Sequence, residues 1–261
     1  MVSLVNKGSY RSYGLLLVIV MLGASLAGTG ATGYYVLILS LVSTIPYSKK
    51  LPTSKLMMPL GFATNHPLLP INLALLFGVT ATVLETAGFH QEISMGRFAL
   101  VNLIMSAAFL AWSLIAYRFL PDHPIADASE DALAGTGFTA MVGDAVAGVL
   151  GSGVSPFVFI VAFALLTSTC ATFTGSNMGS VYIFAPIAIA ACTSLGLNPT
   201  AAAIAVVISG WNGGYMPIDG MPAMILGMGK YKLPEFWVFS VPMYLIRILA
   251  LCAGAVFIFP M

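Results

Sequence analysis

The fold is decided by residues 174–219, TGSNMGSVYIFAPIAIAACTSLGLNPTAAAIAVVISGWNGGYMPID. Two polar knots, Thr174–Asn177 and Trp211–Asp219, interrupt its apolar runs. Irregular backbone at membrane depth is tolerated only where protein buries it or where it lines a wet cavity. A helix broken at that depth presents free N–H and C=O groups, which can hold ions and carboxylates. The pattern is typical of a secondary transporter rather than of a simple membrane anchor.

The composition excludes a water-soluble domain. Hydrophobic residues make up 59% of the chain and charged residues only 7%, whereas soluble domains carry about 25% charged residues. We therefore predict an all-α integral membrane protein that crosses the plasma (inner) membrane several times, with the lipid bilayer as a partner. Nucleic acid is not expected as a partner, because Lys and Arg form no dense cluster. The three cysteines lie in apolar runs without metal spacing, which predicts core positions and no cofactor.

The first half of the chain contains two apolar runs with polar interruptions. The run at 14–46 is too long for one ordinary span and too short for two, and its middle is the knot Gly28–Gly33. We predict a re-entrant hairpin with this knot at its tip; a single tilted, glycine-rich span is the alternative. Pro67 and Pro70 interrupt the next run, because proline removes a backbone donor and disfavours helix before it. The first repeat, 1–131, is predicted to contain that hairpin (14–46), a broken helix (52–88), a plain span (98–120) and a polar loop (121–131).

The second half repeats the first at an offset of 147 residues. The matched positions fall on the interruptions rather than on the apolar filler; they are Gly28 with Gly175, Tyr35 with Tyr182, Pro52 with Pro199, Asn65 with Asn212, Pro70 with Pro217, and Asn72 with Asp219. Internal repeats are typical of transporter folds. We predict two inverted repeats, each with a re-entrant hairpin, a broken transmembrane helix and a plain span. The second repeat, 132–261, is predicted to contain a helix (132–150), a hairpin (155–193), a broken helix (199–229) and a plain span (236–260).

The positive charges predict an orientation, because Lys and Arg are enriched on the cytoplasmic side of a membrane. They flank the first hairpin and are absent from the ends of the second; the flanking residues are Lys7, Arg11, Lys49, Lys50 and Lys55. The first hairpin is therefore expected to open towards the cytoplasm and the second towards the outside. This arrangement requires residues 132–150 to cross the membrane. Its glycines and Asp144 favour the alternative, a segment that lies flat at the interface and makes the repeat parallel.

Three segments resemble one known family. The tip Ser176-Asn177, the proline-containing break that follows Asn198-Pro199 and the closing Gly229-Lys230-Tyr231 resemble the divalent anion:sodium symporter family, a branch of the ion-transporter superfamily. Each repeat of that family carries a hairpin with a Ser-Asn-Thr tip and a broken helix, and together these hold sodium and a di- or tricarboxylate. The resemblance implies a secondary active transporter that moves a small anion coupled to a cation gradient. Sodium is the expected coupling ion, and a proton is the alternative.

The chain also departs from the family pattern. Met178 stands where the tip threonine is expected, and the first tip reads Thr29-Gly30-Ala31. Because family members are longer, an alternative hypothesis is a truncated or split transport module that needs a scaffold partner and does not transport alone. The expected partner is therefore a second copy of the chain, as a homodimer, or a scaffold chain, and native mass in a nanodisc separates the two. We do not expect an enzyme, since the sequence offers no nucleophile with a base and no metal cluster. A passive channel is disfavoured because paired hairpin tips occlude a pathway.

The candidate binding residues follow from the chemistry of the cargo. A carboxylate in an apolar surrounding needs donors without a fixed countercharge, which Ser, Thr, Asn and helix ends provide. Sodium needs a small cage of oxygens. The candidates for the substrate and ion site are Thr29, Thr32, Asn65, Asn72, Thr174, Ser176, Asn177, Asn212, Pro217 and Asp219, and those for sodium are Ser176, Asn177 and Asp219. A carboxyl at membrane depth marks an ion or proton pathway, although Asp219 could instead cap a helix.

Other ionisable residues in apolar stretches have two interpretations. His66 could relay protons, or it could satisfy loop carbonyls in the break. Glu85, Asp144 and Arg247 are expected near an interface, where the long arginine side chain can snorkel towards water.

The inverted arrangement predicts the sidedness of two positions. Single cysteines at Ser129 and Ser152, in a chain whose three native cysteines are replaced, should react with an impermeant thiol reagent from opposite sides of the membrane. This result is expected because residues 132–150 must cross between them if the repeats are inverted. Reaction of both cysteines from one side would instead indicate the flat segment and a parallel repeat.

Overall fold

The computed structural model describes residues 9–45, 49, 51–90, 92–123, 155–218 and 220–261. Within these residues the fold is all-helical. The helices are α1 (Tyr10–Ala27), α2 (Thr32–Ser43), α3 (Thr53–Ala63), α4 (Ala74–Thr86), α5 (Met95–Ala116), α6 (Pro156–Thr174), α7 (Asn177–Ser194), α8 (Thr200–Ser209), α9 (Gly220–Gly229) and α10 (Leu233–Ile258). The predicted helix 132–150, with Asp144, and most of the polar loop 121–131 lie outside the described residues.

Five helices of the described part are long and apolar enough to cross a bilayer: α1, α5, α6, α7 and α10. The helices α2, α4, α8 and α9 are apolar but shorter. A helix of about 20 residues is needed to span the hydrocarbon core. The prediction of an all-α, multi-pass membrane protein is therefore confirmed at this level.

In each predicted hairpin, the first helix ends at a glycine. Gly28 has φ +92° and Gly175 has φ +66°, a left-handed conformation in which glycine carries no Cβ penalty. We call residues 28–31 tip 1, and Gly175 with Ser176 tip 2. After tip 1 the chain turns back, since the Tyr34 hydroxyl on α2 donates to the Val20 carbonyl on α1 at 2.7 Å. Residues 10–43 thus form two helices, α1 and α2, with a turn at tip 1 between them, and not one continuous helix.

Both broken helices are interrupted where the prolines and polar residues predict. Break 1, residues 64–73, separates α3 from α4, and break 2, residues 210–218 of the described part, separates α8 from α9. Asp219 lies outside the described residues. The offset of 147 residues relates two pairs of helix boundaries: the helix ends Ala27 and Thr174, and the helix starts Thr53 and Thr200. The offset of 147 residues read from the sequence therefore recurs at these helix ends.

The described residues form two compact units. The first unit contains α1, α2, α3 and α9 with residues 106–116 of α5 and 233–247 of α10. Its centre is α3, which is buried along almost its whole length and packs against α1, α2 and α9. Only Lys55 is not fully buried in α3, and its ammonium lies 5.2 Å from the ring centre of Tyr117.

The second unit contains α4, α6, α7 and α8 with residues 95–105 of α5 and 248–258 of α10. Every residue of α8 is buried, and this helix packs against α6, α7 and α4. Each unit thus holds one hairpin, the helix before its own break and the helix after the other break. In this unit Arg97 lies 4.4 Å from the ring centre of Phe259, and Ile104 faces Gly254. The two helices α5 and α10 are therefore antiparallel here.

A glycine sets the closest approach in the first unit. A Cβ atom at Gly61 on α3 would lie 2.6 Å from Cδ1 of Ile225 on α9 and 3.0 Å from a methyl group of Leu39 on α2. Contacts this short force the neighbours apart. At Gly78 on α4 a Cβ atom would meet nothing within 4 Å.

Gly61→Ala should therefore unfold at lower temperature than the matched variant Gly78→Ala. Both changes stabilise the helix by about 1 kcal/mol through the higher helix propensity of alanine. Only Gly61→Ala also overpacks its neighbours, which costs about 1 to 3 kcal/mol. Thermal unfolding in detergent, followed by tryptophan fluorescence, measures the difference. Adding Ile225→Ala removes both overlapping atoms, Cδ1 and Cγ1, and should narrow the difference; equal stability of the two single variants would contradict the packing.

Candidate functional site

In the first unit, tip 1 lies on break 1. The backbone N–H of Gly30 donates to Oδ1 of Asn65 at 2.7 Å, and Nδ2 of Asn72 donates to the carbonyl of Leu26 at 3.3 Å. A Cβ atom at Gly28 would lie 2.9 Å from Nδ2 of Asn72, so only glycine fits there. Two predicted site residues, Asn65 and Asn72, thus hold the hairpin tip directly.

A serine that the sequence reasoning missed ties the same hairpin to break 1. Ser25 is fully buried on α1. Its hydroxyl donates to the Met21 carbonyl at 3.0 Å and accepts from the backbone N–H groups of Leu68 and Leu69, both at 2.9 Å. A hydroxyl has one donor and two acceptor lone pairs, so these three bonds use its full capacity. Ser25 therefore satisfies two N–H groups that the helix break would leave without a helical partner.

One threonine lies within tip 1 and another directly follows it. The Thr29 hydroxyl is buried and makes no hydrogen bond within the described residues. Thr32 is exposed as the first residue of α2, whose N-terminus has no side-chain cap. Free N–H groups at a helix N-terminus and a hydroxyl donor are suited to an anion.

In the second unit, tip 2 begins α7. The Ser176 hydroxyl accepts from the Gly179 N–H at 3.1 Å and so caps the helix. The Thr174 hydroxyl donates to the Cys170 carbonyl at 2.7 Å and accepts from the Ser176 N–H at 3.3 Å. Asn177 is half-buried as the first residue of α7. The three polar residues of this tip thus shape the start of the helix, as at other capped N-termini.

Break 2 lies against the hairpin of the second unit. Asn212 is buried, and its Nδ2 donates to the Ile208 carbonyl at 2.7 Å. A Cβ atom at Gly213 would overlap the Thr172 hydroxyl of α6, and one at Gly210 would lie 3.3 Å from the Asn177 carbonyl oxygen. The tip and the break of the second unit are therefore in contact. Pro217 is also buried but belongs to the first unit, so it does not join Asn212 within one unit.

The hydroxyls of Ser25 and Thr172 are equivalent. Each lies three residues before its tip glycine, at Gly28 and Gly175, and each donates to the carbonyl four residues earlier. Each also faces the break of its own unit. In the sequence, Ser168, Thr172 and Ser176 recur every four residues, which could have indicated a polar stripe on one helix face. The pattern is weak evidence for a contact with a break, because a hydroxyl inside an apolar helix usually bonds to the backbone of its own helix.

The second unit offers oxygen ligands for a cation. The Ser168 hydroxyl, one turn before Thr172, is fully buried and makes no hydrogen bond within the described residues. The hydroxyl of Thr172 donates its proton to the Ser168 carbonyl at 2.8 Å, so its lone pairs can accept, and it lies beside Gly213. Hydroxyl, amide and carbonyl oxygens of this kind suit sodium. The described residues contain no group of three His, Cys, Asp or Glu side chains for a transition metal.

The structure corrects one expectation about charge. Arg247 does not lie at an interface with its side chain in water; it is 1% exposed. Its Nη1 lies 2.9 Å from Nε2 of His66 in break 1 of the same unit. The reason is a specific partner: a guanidinium is retained at depth when it is hydrogen-bonded. The interpretation of His66 as a residue that satisfies a carbonyl is supported, since its Nδ1 lies 2.7 Å from the Phe62 carbonyl oxygen.

Comparison with known proteins finds no match among protein-family models, curated proteins or solved structures. Membership of the divalent anion:sodium symporter family therefore stays a prediction from the tip and break residues. The proposal of a function rests on the geometry of the two tips and breaks.

The Ser25 contacts predict an asymmetric effect of two serine variants. Ser25→Ala leaves the N–H groups of Leu68 and Leu69 without hydrogen bonds, and each unsatisfied group costs about 1 to 3 kcal/mol of stability. Ser43→Ala is the matched control, since Ser43 is exposed and bonds only to the Ser40 carbonyl; surface changes of this kind stay within about 0.5 kcal/mol.

Hydrogen–deuterium exchange of peptides covering break 1 measures the effect. Ser25→Ala should accelerate exchange of residues 65–70 while Ser43→Ala leaves it unchanged. If break 1 of Ser25→Ala is as protected as in the wild type, Ser25 does not hold the break.

Proposed function

We propose that the protein is a secondary active transporter that moves a small anion, a di- or tricarboxylate or a similar oxyanion, coupled to a cation gradient. One observation supports this most: each unit places a hairpin tip on a helix break. Interrupted helices in an apolar surrounding expose N–H and C=O groups, which are the usual ion and carboxylate ligands of transporters. A membrane anchor or a plain scaffold has no use for two such sites.

The proposal includes two inverted repeats. The hairpins and breaks recur at one offset along the chain, and each unit is built from the same set of parts. In the second unit, the two plain spans α5 and α10 are antiparallel, as Arg97 beside Phe259 and Ile104 beside Gly254 indicate. Helices at equivalent places in two repeats run in opposite directions when the repeats are inverted, so this packing supports the inverted reading.

We place the cation site of the proposal in the second unit. There the hydroxyl of Thr172 and the main-chain carbonyl oxygens of Ser168 and Asn177 lie beside break 2, and the Ser168 hydroxyl makes no hydrogen bond within the described residues. In the first unit, the equivalent hydroxyl of Ser25 already accepts two N–H groups, so it cannot also bind a cation. Sodium is the proposed coupling ion, because neutral oxygens without a transition-metal cluster match its preference. Asp219, outside the described residues, remains a candidate for the charged ligand.

The anion would meet donors rather than a fixed charge. In the first unit the N-terminus of α2 carries N–H groups and the Thr29 hydroxyl has a proton to donate; in the second unit the N-terminus of α7 carries N–H groups. These groups bind oxyanions without the countercharge that would be costly in hydrocarbon.

Uptake into proteoliposomes tests the proposal. The purified protein should accumulate labelled succinate, citrate or sulfate when an inward sodium gradient is present, and accumulation should fall without it. An inward proton gradient replaces sodium in a parallel arm. The proposed function is wrong if no gradient drives uptake of any of the three anions.

Asn177→Ala and Asp219→Asn should raise the sodium concentration needed for half-maximal uptake by about tenfold or more, since losing one ligand is worth at least about 1.4 kcal/mol. Ser194→Ala, at the other end of α7, is the matched control, because its hydroxyl bonds only to the Ala191 carbonyl. Sodium dependence that is identical in all three variants would remove these residues from the cation site.

A further inference from the structure

Break 1 contains a buried pair of ionisable side chains that the tip contacts do not use. His66 is fully buried and Arg247 is 1% exposed. His66 directly follows Asn65, which holds tip 1, while Arg247 lies in the middle of α10. Both belong to the first unit. A charged residue in the middle of a candidate span is costly and marks function by default.

The hydrogen bonds define the state of the histidine. Nδ1 of His66 lies 2.7 Å from the Phe62 carbonyl oxygen, which can only accept. Nε2 lies 2.9 Å from Nη1 of Arg247, and a guanidinium can only donate. The proton of the ring is therefore on Nδ1, and Nε2 accepts through its lone pair. His66 is neutral in this state, and both ring nitrogens are occupied.

The ring has no freedom to turn away. Phe109 of α5 stacks on it with ring centres 4.0 Å apart and planes 9° apart. The carbonyl of Pro67, the next residue, accepts from the Ser106 hydroxyl at 2.9 Å. Arg247 acts electrostatically on His66, and Tyr244, one turn earlier on α10, acts on Arg247. Tyr244 in turn packs on the ring of Tyr215.

We propose that His66 is a proton-binding site in which a proton and the N–H of Arg247 compete for the same nitrogen. A proton from water bonds to the Nε2 lone pair, the hydrogen bond from Arg247 breaks, and the imidazole becomes an imidazolium. Two cations then face each other in a buried place, so Arg247 must move away. Proton uptake thereby releases break 1 from α10.

The consequence for transport rests on the proposed function. Break 1 carries Asn65 and Asn72, which hold tip 1. A proton on His66 would therefore loosen the tip and break of the first unit, in addition to any cation bound in the second. The equivalent position in break 2 is Gly213, which cannot take up a proton. The site thus makes the two units chemically different and makes transport depend on pH.

Ring nitrogen chemical shifts test the site without any substrate. The full chain, labelled with ¹⁵N-histidine, is placed in nanodiscs and titrated from pH 8.5 to pH 5. The His66 signals are identified by their loss in His66→Gln and their retention in His90→Gln and His123→Gln. At pH 8.5 we expect the Nδ1–H tautomer with Nε2 unprotonated. On acidification, Nε2 should gain a proton.

Hydrogen–deuterium exchange over the same pH range tests the release. Exchange of break 1 peptides should rise at the pH at which His66 takes up its proton, by about tenfold to a hundredfold above the intrinsic effect of pH, as expected for the loss of one hydrogen bond to a charged group. His66→Gln should show no such rise. In Arg247→Gln, which removes the competing charge, His66 should take up its proton about one pH unit higher or more.

Three results overturn the proposal: a proton already on Nε2 at pH 8.5, no proton uptake by His66 down to pH 5, or uptake without faster exchange of break 1. The wild-type titration alone decides this if a variant fails to fold. Because no anion is needed, these results are independent of the uptake assay. If anion uptake is driven by sodium but has the same pH profile in the wild type and in His66→Gln, the role in transport fails while the proposed function stands.

Discussion

The structure depends on one constraint: backbone groups released by a helix break in an apolar surrounding must find partners in the protein. In the first unit, the Ser25 hydroxyl accepts from both Leu68 and Leu69. Leu68 and Leu69 lie in break 1, where Pro67 and Pro70 lack backbone N–H donors and prevent a regular helix. The hairpin is therefore the source of the hydrogen bonds that the break needs, and neither part would be stable at that place without the other.

The same constraint explains the short buried helices. Helices of this length are marginal on their own, yet α3 and α8 are the most completely buried helices of their units. Each is held by its own hairpin and by the helix that follows the other break. Close approach is made possible by small residues such as Gly61, which leaves room for Ile225. The breaks are thus carried by helices that are stable through packing rather than through length.

Equivalent positions in the two units carry side chains with different chemical roles. Ser25 and Thr172 occupy the same place before their tips, but in the first unit the lone pairs of the hydroxyl are used by backbone N–H groups, whereas in the second the hydroxyl lies beside Gly213. Position 66 carries a histidine bonded to Arg247, and its equivalent is that same Gly213. The cation site that we propose in the second unit and the proton site that we propose in the first therefore differ in the side chains at equivalent positions.

The sequence by itself determined the membrane class, the positions of the tips and breaks, and the offset between the halves. It could do so because proline, glycine and polar knots act locally on the backbone, and because scarcity of charge excludes a water-facing surface. It did not reveal the roles of Ser25 and Thr172, since a hydroxyl within an apolar helix has the same sequence signal whether it bonds to its own helix or to a neighbour. It placed Arg247 in water, because snorkelling is the usual behaviour of a lone arginine in a span. Only the tertiary structure brought His66 to Arg247, because a partner 181 residues away in the chain is chosen by packing and not by any local pattern.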